Sequence, residues 1–138
     1  MPTNNLKYQR EYMNKYINAY YGYYSTKISN IKRSAKVNND IPKSRLTLTT
    51  DEFLEILEKF SFACCYCGQT NIELVPSMIV RFSHNGSLSR SNTVPSCSKC
   101  NRHKLSQTSH KSFEKWYKSQ PFYSQERYNK IINHIKRE

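Results

Sequence analysis

Apolar positions recur at helical spacing over most of the chain and alternate in one short central stretch, which predicts helices around a small sheet. Tyr8, Tyr12, Tyr16 and Tyr20 fall at i, i+4, with Met13 and Ile17 beside them, so they share one helix face. Gly22 is expected to interrupt this helix. A second would run from Tyr23 to Lys36 with Ile28, Ile31 and Ala35 inward. "VNNDIP" then reads as a turn. Leu46 and Leu48 suggest a short extended piece. Thr49 and Glu52 are spaced as a capping box for a helix whose Phe53, Ile56, Leu57 and Phe60 line one face. Two further helices are expected near the C-terminus, separated by Pro121. Ser109 would cap the first, burying Phe113, Trp116 and Tyr117. Ser124 would cap the second, burying Tyr128, Ile131, Ile132 and Ile135.

The alternating stretch is "MIVRF", read as a strand running into the turn "SHNG", where Asn85-Gly86 is a hairpin signal. "NTVPS" supplies a returning strand, and "NRHKLSQ" can begin a helix. Cysteines bracket this region. Cys64-x-x-Cys67 and Cys97-x-x-Cys100 are two knuckles separated by 29 residues. Each presents two thiolates at the spread that tetrahedral Zn²⁺ needs, so together they predict a closed structural zinc site. Cys65 is left over as a packing residue, with a Cys65–Cys67 pairing the alternative at the first knuckle. The expected class is α+β: a zinc-stabilised ββα core with flanking α-helices. Its divisions are a basic, tyrosine-rich helical arm over 1–45, a zinc-binding core over 46–120 and a C-terminal helix over 121–138.

Charge narrows the partners. The chain carries 22 Lys and Arg against 10 Asp and Glu, a formal net charge of +12. That balance favours a polyanion, chiefly nucleic acid. Residues 1–45 hold nine of the basic residues, only Glu11 and Asp40 as acids, and seven of the eleven tyrosines. The tyrosine stripe is therefore either a packing face or an aromatic, basic arm whose rings stack on bases. No apolar run approaches the roughly 20 residues of a membrane span, and the N-terminus has no signal-peptide core. An intracellular, non-secreted protein with reduced thiols and no membrane partner is expected.

"CYCG…VRFSHNGSLSRSNTVPSCSKCNRHK" resembles the HNH endonuclease family, also called His-Me finger, in its small phage-type form. The similarity runs from about Ile28 to Tyr117. It rests on both cysteine pairs together with Asn92, Pro95, Asn101, Arg102 and Lys104. The resemblance implies a DNA endonuclease that hydrolyses phosphodiester bonds, with Mg²⁺ or another divalent cation at the catalytic site. Asn92 would brace the hairpin and Asn101 would be the helix's metal ligand. Arg81 falls at the position of the catalytic base, eleven residues before Asn92. Val80 and Arg81 thus stand where the family has Asp-His, and neither can replace its counterpart: valine binds no metal and arginine takes no proton. His84, with Ser83 or a water beside it, is the substitute base, and His103 could turn inward on the helix. Arg81, Arg90, Lys99, Arg102 and Lys104 would contact nucleic acid, with Lys32 and Arg33 from the arm, DNA before RNA. Two alternatives accompany the nuclease. One is a degenerate fold that binds DNA or RNA, or serves a nucleoprotein assembly, without cutting. The other is a phage-type interaction or inhibitor protein.

Overall fold

The computed structural model describes the backbone of residues 6–103 and 110–136 and the side chains of residues 20–102 and 112–135. The class is α+β. In chain order come helix α1 (Leu6–Asn39), helix α2 (Thr50–Lys59), strand β1 (Leu74–Met78), strand β2 (Thr93–Cys97), and helices α3 (Ser98–His103), α4 (His110–Lys118) and α5 (Gln125–Lys136). Among the described residues no helix is long and apolar enough to cross a membrane.

Gly22 does not break the first helix; α1 runs unbroken for 34 residues. An isolated glycine costs a helix about 1 kcal/mol relative to alanine. Burial just downstream outweighs that cost, because Tyr24, Ile28 and Ala35 sit in the core on one face, each large side chain contributing about 1.5–3 kcal/mol. Tyr24 also packs edge-on against Phe53 of α2, with ring centroids 5.0 Å apart. The helix stops at Asp40, which takes a left-handed conformation (φ 55°) ahead of Pro42. The stripe residues Tyr8, Tyr12 and Tyr16 lie on α1, but their side chains are outside the described set.

The two strands form an antiparallel ribbon in which Leu74 faces Cys97, Pro76 faces Pro95 and Met78 faces Thr93. The first strand therefore lies four residues earlier than "MIVRF" suggested: after Met78 the chain bends at Ile79–Val80. Proline argues against a strand from sequence, yet here two prolines face each other. The ribbon accommodates them because they occupy a pair whose N–H and C=O groups point away from the partner strand. Other elements take up those outward carbonyls. Tyr24 donates its hydroxyl to Leu74 O at 2.7 Å, the Cys65 N–H reaches Pro95 O at 2.9 Å, and His134 on α5 reaches Thr93 O at 2.9 Å. A two-stranded ribbon is marginal alone; this one is held along its edges by three elements distant in sequence.

The Thr49 capping box forms as expected, with Glu52 N–H donating to Thr49 Oγ1 at 3.1 Å and Glu52 Oε1 accepting from Thr49 N–H at 3.0 Å. Phe53, Ile56 and Leu57 bury the inner face of α2. Ser124 caps α5 through the Arg127 N–H at 3.2 Å; Ile131 on it is fully buried, whereas Tyr128, Ile132 and Ile135, also expected inward, are only half-buried. The Ser109 cap lies outside the described residues. α4 and α5 enclose an aromatic cluster in which Tyr66 lies 5.4 Å from Trp116 and 5.8 Å from Tyr117.

Candidate metal centre and hairpin loop

Cys64, Cys67, Cys97 and Cys100 bring their sulfurs within 4.8 Å of one another. A tetrahedral Zn²⁺ with bonds of about 2.3 Å needs S···S edges of about 3.8 Å, and Cys67 and Cys97 already stand at 4.0 Å. No pair is bridged by a disulfide. The four thiols can hold a metal ion such as zinc, and Cys65, though buried, is not part of the group. A hydrogen bond with Cys100 pulls the Cys64 thiol well down, the same bond pushes Cys100 up, and burial raises Cys67. Clustered thiols that cannot all ionise alone are what a divalent cation relieves.

Each knuckle is built locally. In the first, Gly68 N–H donates to Cys64 O at 2.9 Å and Cys64 N–H to Gln69 O at 3.0 Å. Gly68 has φ +80°, a conformation that favours glycine, and a β-carbon there would come within 2.8 Å of the Arg127 guanidinium, which would have to shift. Arg127 Nε and the Tyr117 hydroxyl both donate to Tyr66 O, at 2.8 and 2.6 Å. The C-terminal helices thus hold the knuckle from outside. The second knuckle is the junction of β2 with α3, where Cys100 N–H points at Cys97 Sγ, 3.5 Å away.

Residues 79–92 connect the strands as a braced loop rather than a two-residue hairpin. The loop folds back because Asn85 is left-handed (φ 68°) and Gly86 N–H donates to Arg81 O at 2.9 Å. Two side chains then fix it. Asn92 accepts from Val80 N–H at 3.0 Å and donates to Val80 O and Ser87 O, both at 2.8 Å. Arg45 donates to Phe82 O at 2.7 Å and to Gly86 O at 2.6 Å. What remains outside is the tip: Ser83, His84 and Asn85 are exposed, with Arg81 half-buried beside them. His84 Nδ1 lies 3.0 Å from Ser83 Oγ and 3.4 Å from Arg81 Nε.

The other expected residues are dispersed around this loop. Asn92 is the residue whose side chain ties Val80 to Ser87. Asn101 sits on α3 and its Oδ1 accepts from Ser77 Oγ at 2.8 Å. Lys99 and Arg102 are exposed on α3. Arg90 is paired with Glu55 at 2.6 Å. Lys32 and Arg33 lie on α1, Lys104 is outside the described residues, and of His103 only the backbone is described. Between Glu73 and Glu114 the chain has no carboxylate. A hard cation such as Mg²⁺ takes oxygen donors, carboxylates foremost, so this loop does not suit one. Among the described residues the four cysteines form the one group of His, Cys, Asp or Glu able to hold an ion.

His134 carries a role that its sequence position did not signal. It is 2% exposed, and Nε2 faces Arg90 O and Thr93 O, both at 2.9 Å. Lys59 Nζ, a pure donor, lies 2.9 Å from Nδ1, so Nδ1 accepts and Nε2 carries the proton. Burial, reinforced by the Lys59 charge, lowers the pKa below its ordinary 6.5. The unfolded chain therefore takes up this proton first as pH falls. Stability is expected to be fully present above pH 6.5 and to decline with acidification until the folded imidazole itself titrates. Urea unfolding between pH 7 and 5 checks this. His134→Gln should flatten the slope by up to one proton, about 1.4 kcal/mol per pH unit.

The chain matches no family model, no curated protein and no solved structure.

Proposed function

We propose that the chain is a nucleic-acid-binding protein on an HNH-type, zinc-stapled ββα scaffold, with DNA as its ligand. The observation that carries this reading is the braced loop at 79–92, which keeps Ser83 and His84 exposed with half-buried Arg81 beside them, in a stretch without carboxylates. Exposed Lys99 and Arg102 add cationic donors from α3. Backbone phosphates suit such a set: arginine offers paired donors, and serine and histidine offer single ones. Binding should be driven by counterion release and so fall steeply with salt.

Phosphodiester hydrolysis is the second reading, favoured by His84. His84 is exposed at the loop tip, with Nδ1 3.0 Å from Ser83 Oγ and 3.4 Å from Arg81 Nε, and its imidazole is the group there that would take the proton from the attacking water. Arg81 would neutralise the phosphate undergoing attack.

A gel shift with duplex DNA separates these readings when run beside a plasmid-nicking assay with Mg²⁺, Mn²⁺ or Ni²⁺. The binding reading expects salt-sensitive retention, weakened in Arg81→Ala and Arg102→Ala, with the plasmid left intact. Nicking lost in both His84→Ala and Asn101→Ala would establish the nuclease instead. No retention even at low salt refutes nucleic-acid binding and leaves an interaction protein.

A further inference from the structure

We propose that α1 carries a second phosphate-binding strip, separate from the hairpin loop, so that the nucleic-acid interface has two parts. Ser25, Ser29, Lys32 and Lys36 follow i, i+4, i+7 and i+11 along one flank of the helix, with Arg33 beside them. Ser29, Arg33 and Lys36 are exposed and Lys32 is half-buried. The two flanks differ in their charge pairing. On the other flank Lys27 is matched by Glu73 at 3.5 Å. Lys32 and Lys36 have no carboxylate partner among the described residues, and the Arg33 hydrogen bond goes to neutral Asn30.

Like charges at i, i+4 destabilise a helix, and α1 has no acid after Glu11 to offset them. A polyanion lying along the flank removes that repulsion. The small serines let its backbone approach the helix closely. The strip covers eleven helical steps of about 1.5 Å each, enough to meet several phosphates of one duplex.

This inference rests on the nucleic-acid reading, and the test separates the two. Fluorescence anisotropy of a labelled duplex is followed from 50 to 200 mM salt. The wild type is compared with Lys32→Ala/Arg33→Ala/Lys36→Ala, with Arg81→Ala/Arg102→Ala and with Lys27→Ala. Circular dichroism verifies that each is folded. Loss of three phosphate contacts should make the slope of log affinity against log salt shallower by about 2.7, while Lys27→Ala changes it little. A triple variant that matches the wild type, beside a weakened loop variant, overturns the strip and leaves the loop reading standing. A wild type that does not bind overturns both.

Discussion

Removing the metal from the four-cysteine site is expected to unfold the central part of the chain rather than merely loosen it. A structural zinc contributes about 10–16 kcal/mol in small domains, whereas a whole domain is stable by about 5–15 kcal/mol. The site joins the exit of α2 to the junction of β2 and α3, so its loss frees both strands at the Leu74–Cys97 end of the ribbon. The chain's one tryptophan reports the event. Trp116 packs edge-on against Tyr66, which lies between Cys64 and Cys67. Metal analysis should find one zinc per chain, and a strong chelator should abolish cooperative thermal unfolding and shift Trp116 emission to the red. Cys97→Ser should behave like the chelated protein. Cys65→Ser should keep its metal and lose only packing. A chelated protein with unchanged melting would refute the role of the site, and Cys65→Ser losing zinc would reassign the ligands.

The parts of this architecture that were legible in the sequence are those whose partners are close in the chain. Thr49 and Glu52 are three residues apart, and each C-x-x-C is a self-contained turn. The ribbon was harder to read because two signals misled. "IVRF" alternates as a strand should, while Pro76 and Pro95 argue against the true strands until their outward orientation is known. The remaining devices are long-range. Arg45 closes a loop 41 residues away, Arg127 reaches back 61 residues to the first knuckle, and His134 reaches 44 residues to the turn before β2. A single histidine or arginine on a helix carries no local mark of such contacts. Asn92 lies between these cases: its bracing role came from the family resemblance, and hydrogen bonds to Val80 and Ser87 now account for it physically.

Those bonds make Asn92→Ala a strongly destabilising change in the loop. Asn92 is 8% exposed, and truncation leaves one amide and two carbonyls without their partner. An unsatisfied buried polar group costs about 1–3 kcal/mol; water can reach part of this loop, so a loss of about 3 kcal/mol is expected. Asn92→Asp tests the cause. The carboxylate still accepts from Val80 N–H but has nothing to donate to Val80 O or Ser87 O, and it places negative charge against both. It should therefore destabilise about as much as alanine, although its shape is conserved. Gly86→Ala attacks the same loop sterically, since a β-carbon there would lie 1.7 Å from Val80 O, a contact relieved only by moving the backbone. Urea denaturation measures the stability loss. Hydrogen exchange at the Val80 and Gly86 amides shows whether the loop opens while the ribbon stays closed. Asn92→Asp with wild-type stability would mean that the two donated bonds do not hold the loop. Full nucleic-acid binding with that loop open would remove the braced tip as the contact surface.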